Sequence, residues 1–279
     1  METIQKFGGD WTKTKLDMFN DYLNAYLIAL SKQQFGTIYI DAFAGSGQIE
    51  LEYEVLEGSA RRALSAPRQF DYYYFIDSDP KNVESLKEMI HTEFTYLERR
   101  TCVKKGDANI EVKKIISSIN WKTNRCLMFI DPYATQFEWE SLSEIAKTEA
   151  IDLWYLFPCG AVNRLLTRSG EMEISWEAKL DKVFGARDWR DAFYVESPQH
   201  SLFDDSECEL IKDSSIEKMS DYLVEKLGNI FPGVSKKPYI FRNSTNAPLF
   251  LFCFAMSNPS SSAQKLALRI ANYILNSKA

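Results

Sequence analysis

Four short strand-like runs in this chain each give out at an aspartate, and small or turn-forming residues follow every one. They are Tyr39-Ile-Asp41-Ala-Phe43-Ala-Gly45-Ser-Gly47, Phe75-Ile-Asp77-Ser-Asp79-Pro80, Thr101 to Lys105 running into Gly106-Asp107-Ala108-Asn109, and Phe129-Ile-Asp131-Pro132-Tyr133. A fifth run, 151–157, ends at Pro158-Cys159-Gly160. Between them lie stretches with helical spacing, at 59–65, 80–91, 109–119 and 139–148. Short, almost continuously apolar strands alternating with helices predict a parallel sheet covered on both faces, with right-handed crossovers. In such sheets ligands bind beyond the carboxyl ends of the strands, where these aspartates fall.

The remaining segments fit around that sheet. Leu16, Phe19, Leu23, Tyr26, Leu27 and Leu30 recur at helical spacing and predict a first helix over 12–31. The acidic stretch 48–58 reads as a loop, with Ser59 capping the helix after it. Residues 161–212 break the rhythm with short amphipathic pieces, Trp176, Trp189 and many charges, and read as a helical insertion over the active edge. The pattern resumes as a helix at 214–230. Strands at 239–242 and 249–257 are joined by Asn243-Ser-Thr-Asn-Ala-Pro248, too short for a crossover helix, so that pair is antiparallel. A last helix covers 261–276. The whole of 1–279 reads as one domain.

Composition narrows the chemistry. With 33 basic and 39 acidic residues the net charge is −6, which argues against a surface coated for long duplexes but leaves room for a local basic groove. Five cysteines without a CxxC pair are read as reduced, buried thiols, Cys159 included, and not as a disulfide or iron–sulfur framework. Two histidines, with His200 in a polar loop, supply few ligands, and no metal is expected. The amino terminus is too polar for a signal peptide and no run reaches 18 uncharged apolar residues, so no membrane is expected and the cytoplasm is the expected location.

Each strand end carries its own ambiguity. Gly45 and Gly47 let backbone approach a ligand or merely make a tight turn. Asp77 is placed to accept both ribose hydroxyls of a nucleoside. Asp79 reads as a cap for the helix that starts at Pro80. Asp107 either accepts an adenine amino proton or caps a helix. A dinucleotide fingerprint counted from Gly45 puts Glu50 where its third glycine belongs, which disfavours NAD, and no glycine-rich loop leads into Lys-Ser or Lys-Thr.

Taken together these stretches resemble the class I S-adenosylmethionine-dependent methyltransferases. Within them the chain is similar to the three-Cys-motif partner (TcmP) family, on Trp11-Thr-Lys-Thr-Lys15-Leu, Gly58-Ser59-Ala-Arg-Arg-Ala-Leu64, Phe184-Gly185 and Trp189 besides the four strand ends. The likeness spans nearly the whole chain. It implies a three-layer, Rossmann-like α/β fold whose mostly parallel seven-stranded sheet has an antiparallel last strand. It implies S-adenosyl-L-methionine as cofactor, with Asp41, Phe43, Gly45 and Gly47 by its methionine part, Asp77 at the ribose, and Asp107 with Ala108 at the adenine. It also implies a three-cysteine iron–sulfur partner protein. Asp131-Pro132-Tyr133 resembles the Asp-Pro-Pro-Tyr motif of amino-methyltransferases acting on nucleic-acid bases, which makes these three the catalytic candidates and a nucleic acid the leading substrate. The match is incomplete: one proline is missing and Ala134 holds the aromatic slot, so Tyr133, Phe137 or Trp139 stacks on the substrate or packs in the core. Lys15 reads as a solvated helix residue, with a place near the site as the alternative. Arg164, Arg168, Arg187 and Arg190 of the insertion either bind an unpaired strand or form a salt-bridged surface. A non-catalytic binding subunit and a small-molecule or protein methyltransferase are the rival readings.

Overall fold

The computed structural model describes residues 10–50, 55–196 and 210–277. In chain order it contains α1 (Asp10–Leu30), β1 (Gly36–Asp41), β2 (Gln48–Glu50), β3 (Val55–Glu57), α2 (Ser59–Leu64), β4 (Tyr72–Asp77), α3 (Pro80–Glu93), a 3-10 turn (Thr95–Arg100), β5 (Thr101–Lys105), α4 (Ala108–Ser118), β6 (Asn124–Ile130), α5 (Trp139–Lys147) and β7 (Ile151–Phe157). There follow α6 (Cys159–Leu165), α7 (Ile174–Phe184), α8 (Trp189–Phe193), β8 (Tyr194–Glu196), β9 (Leu210–Lys212), α9 (Ile216–Ile230), β10 (Gly233–Val234), β11 (Tyr239–Arg242), β12 (Pro248–Met256) and α10 (Ser261–Ser277).

Local chemistry sets the ends of these elements. Asp79 caps α3 by accepting from the Lys81 N–H, with Pro80 supplying a pre-set first turn. Asp107 caps α4, and Ser215 caps α9. Gly185 closes α7 in the left-handed region, at φ 76°, where a Cβ would come within 2.2 Å of the Trp139 ring. Only glycine meets both conditions.

The main sheet runs β10–β12–β7–β6–β1–β4–β5, with β11 also on β12. Numbered along the chain, its five parallel strands lie in the order 3-2-1-4-5, so the winding direction reverses between β1 and β6. That reversal opens a crevice at the carboxyl ends of the two strands. β12 runs antiparallel to β7, as the short link before it requires.

The sheet has eight strand segments in place of the expected seven. β10 and β11 both lie along the same edge of β12, and the Ser235 N–H reaches the Phe254 carbonyl between them. Pro238 has no N–H to give and interrupts this edge strand. Two further readings are corrected. The acidic stretch 48–58 holds the antiparallel pair β2/β3, and the insertion 161–212 adds the β8/β9 pair to its helices. His200, Cys208 and the Glu50 side chain lie outside the described residues.

Strand residues alternate between two cores. Ile38, Ile40, Met128, Ile130 and Leu153 face the layer of α4, α5, α7 and α9. Tyr39, Tyr73, Phe75, Phe129 and Trp154 face α1, α2, α3 and α10. Cys126, Cys159 and Cys253 are buried and unbridged, and burial pushes the Cys159 thiol up to about 12. No helix of the described residues is long and apolar enough to cross a membrane.

Candidate functional site

The crevice between β1 and its two neighbours gathers the sequence candidates in one row. In the sheet register Asp41 stands beside Phe75 on one side and Phe129 on the other, so Asp77 and Asp131 each lie two residues further along the flanking strands. The chain leaving β1 is tied to both neighbours. Ala42 N–H bonds to Phe129 O at 3.1 Å and Ala44 N–H to Ile76 O at 2.9 Å. Gly45 then turns at φ 60° and donates its N–H to Asp77 Oδ2 at 2.9 Å. A Cβ on Gly45 would meet nothing within 4 Å, so this stretch of backbone faces open space beside the Asp77 carboxylate. The other Asp77 oxygen, Oδ1, accepts from the Asp79 N–H at 2.8 Å and Asn82 Nδ2 at 3.2 Å. The loop is locked at its far end where Gly58 N–H meets Gly47 O at 3.0 Å.

Asp41 is fully enclosed and spends its carboxylate on the protein. Oδ2 accepts from Tyr39 Oη at 3.1 Å and Oδ1 from the Phe43 N–H at 3.2 Å. Burial pushes its acid up to about 6, the negative charge of Asp131 adds to that, and hydrogen bonds from Ser59, Phe43 and Tyr39 pull the other way. A raised carboxyl pKa means the folded state holds a proton that the unfolded chain has released. The Asp41 contribution is therefore full below its ordinary value of 3.8 and is lost as pH rises through about 6. Asp41→Asn cannot titrate there. Its stability relative to the wild type should climb by about 1 kcal/mol between pH 5 and 7.5, read from urea unfolding at the two pH values.

Asp131 carries the main departure from the sequence reading. Lys15, on the first helix, is not on a solvated face: its side chain is 5% exposed and its ammonium forms an ion pair with Asp131 Oδ2. The ammonium also sits 5.2 Å from the centre of the Trp11 ring, which packs on Phe250. α1 is held over the crevice by this pair and by Arg62, whose Nη1 donates to Asp17 Oδ1 at 2.8 Å. Among the described residues nothing donates to Asp131 Oδ1 or to the Pro132 carbonyl. Pro132 is buried and Tyr133 is 65% exposed. Ala134 turns the chain at φ 56°, an uncommon conformation for a residue with a Cβ. Phe137 and Trp139 pack in the core, Phe137 edge-on to Phe43 at 6.2 Å.

The third strand end does two jobs. Asp107 accepts from the N–H groups of Asn109 and Ile110 at 2.9 and 3.1 Å through Oδ1, the capping role, while no described residue donates to its Oδ2. Ala108 beside it is buried. Asn109 is the residue that the sequence reading passed over. Its Nδ2 donates to Gln136 O at 2.8 Å, and its Oδ1 accepts from the Glu138 N–H and Ser141 Oγ, each at 2.9 Å. It thus staples the loop after Asp131 to α4. Asn109→Ala strands these partners in the interior and should lower unfolding stability by about 3 kcal/mol, measured by urea denaturation.

Two of the insertion's arginines are committed elsewhere. Arg187 pairs with Asp181 at 2.7 Å, and Arg190 pairs with Glu177. These form a salt-bridged surface and not an open cationic patch.

No family model matches the chain, and no curated protein does. Among solved structures it is similar to protein LPL1258 from Legionella pneumophila, at 13% identity and a TM-score of 0.46, over 93% of this chain and 91% of that one. It is also similar to the methyltransferase domain of bacterial CtHen1, at 10% identity and 0.41, over 86% and 98%. For spermidine synthase from Thermotoga maritima the figures are 11%, 0.39, 88% and 60%. The strand order 3-2-1-4-5 with an antiparallel strand beside it is itself that of a Rossmann-like, methyltransferase-type sheet.

Proposed function

We propose that this chain is an S-adenosylmethionine-dependent methyltransferase and that its acceptor is an amino group, with a nucleic-acid base the leading substrate. The observation that carries the cofactor reading is the clasp of Asp77 on Gly45: a carboxylate at the end of β4 fixes an open, side-chain-free turn after β1, beside the crevice where the sheet reverses. The donor set suits an adenosyl sulfonium compound. Asp77 uses three of its roughly four acceptor positions internally, and Asn82 at 3.2 Å is the bond most easily exchanged for a ribose hydroxyl. Asp107 Oδ2 is available for an exocyclic amine, and the Gly45 backbone admits the amino-acid end closely. Bound there, the cofactor supplies an electrophilic methyl carbon.

The residues around Asp131 then act on the acceptor. Lys15 holds one carboxylate oxygen, which fixes the side chain. Oδ1 and the Pro132 carbonyl remain to receive two N–H protons and orient the nitrogen lone pair. Little proton abstraction precedes attack, so most of the rate comes from alignment and electrostatic fit to the transition state. Tyr133, exposed beside them, offers a ring face to a flipped or unpaired base. The test is transfer of a labelled methyl group to single-stranded RNA, DNA and free nucleosides. Incorporation that disappears in Asp131→Ala supports the reading. Incorporation into a protein or small molecule alone would move the substrate class and keep the cofactor.

A further inference from the structure

A cavity of about 410 Å³ lies at the opposite end of the sheet, where β6 and β7 begin and β12 ends, walled by the second half of α1 and by α10. Its size is that of a small-metabolite pocket. Leu30, Met256, Ala267 and Ile270 make its apolar wall. Its polar lining includes Tyr26, Arg125 and Asp152, with Gln33, Asn258 and two serines besides.

The bonding of Tyr26, Arg125 and Asp152 is unfinished. The Tyr26 hydroxyl is buried and has no hydrogen-bond partner, an arrangement that costs free energy in a folded protein and calls for a reason. Asp152 is enclosed by protein yet keeps part of its surface open on the cavity side. Its Oδ2 accepts from Tyr22 Oη at 2.6 Å, and no described residue donates to Oδ1. Burial pushes its acid up to about 6, with Tyr22 and Arg125 pulling downward. Arg125 stacks on Phe35 at 3.8 Å and spends Nη1 on the carbonyls of Trp121 and Asn124, which leaves Nε and Nη2 without a described partner. One cation and one acid thus line an apolar chamber, with an orphan hydroxyl enclosed in its wall.

A ligand that completes this set must bring an anion or strong acceptor for Arg125 and Tyr26, a cation for Asp152, and an apolar body. A lone carboxylate leaves Asp152 unpaired beside it, and a lone amine does the same to Arg125. We propose that this cavity binds an α-amino acid with an apolar side chain, its carboxylate on Arg125 and Tyr26 and its ammonium on Asp152. The ligand is chosen for its charge pair, and the site is separate from the crevice at Asp77 and Asp131.

The test is calorimetric titration of the full chain with L-leucine and L-phenylalanine, and with isovalerate and isoamylamine as compounds lacking one charge. Saturable binding of an amino acid is expected, with at least a tenfold loss for both single-charge compounds. Tyr26→Phe removes a hydroxyl that has no protein partner, so the variant should fold with an unchanged or raised Tm and still bind at least tenfold more weakly. Asp152→Asn keeps an acceptor for Tyr22 and should weaken binding similarly. No saturable binding of either amino acid by folded wild type overturns the proposal. So does binding that Tyr26→Phe leaves unchanged.

Discussion

Asp131→Ala should lower unfolding stability by about 3 kcal/mol and abolish methyl transfer, while the double variant Lys15→Met/Asp131→Leu should recover most of the stability and none of the transfer. The stability loss follows from burial. Lys15 is 5% exposed and Asp131 25%, so removing the carboxylate strands an ammonium inside the protein. The Trp11 ring offsets part of that, by about 1 kcal/mol, which keeps the cost near the lower end for a broken buried pair. Replacing both partners with apolar groups of similar length removes the stranded charge altogether, which is why stability returns. Under the proposed function, activity follows different atoms: Asp131 Oδ1 and the Pro132 carbonyl would orient the acceptor, and the double variant has only the latter. Urea unfolding and labelled methyl transfer on the same three proteins separate the two roles. If the double variant is no more stable than Asp131→Ala, the pair is not the anchor of α1 described above.

The second large effect concerns Asp77→Ala, which should bind S-adenosylmethionine at least about 100-fold more weakly than wild type, a loss of roughly 3 kcal/mol. In the proposed complex two charge-assisted bonds to ribose hydroxyls would account for a loss of that size. The substitution also frees the Gly45 N–H and the Asp79 N–H, so the turn that frames the crevice loses its anchor. Asn82→Ala separates these effects. It removes one internal bond to Asp77 and leaves the carboxylate, so its affinity should stay within a few-fold of wild type.

Much of this architecture was legible in the sequence because the signals were local. Runs such as Phe129-Ile-Asp131-Pro132 mark a strand, its end and the turn after it within a few residues, and five of them in alternation with helices leave few topologies. Asp79 announced its capping role through the proline beside it, and the sheet topology brought Asp41, Asp77 and Asp131 into one row. The contacts that were not legible join distant segments. Lys15 and Asp131 are 116 residues apart, and on α1 the lysine is one polar position among several until the helix is laid across the crevice. Asn109 follows a residue whose capping signal is stronger, and its partners at 136, 138 and 141 become neighbours only after α4 and α5 pack. β10 is two residues long and gives no periodicity to read. The amino-edge cavity draws Tyr26, Arg125 and Asp152 from three elements, none of which carries a motif.

The most direct measurement is calorimetric titration of the folded protein with S-adenosylmethionine, run on wild type, Asp77→Ala and Tyr26→Phe. Saturable binding to wild type, lost at least 100-fold in Asp77→Ala and retained in Tyr26→Phe, is the result expected of a cofactor site at the carboxyl edge of the sheet. Absence of saturable binding by wild type, or affinity that Asp77→Ala leaves unchanged, would contradict it.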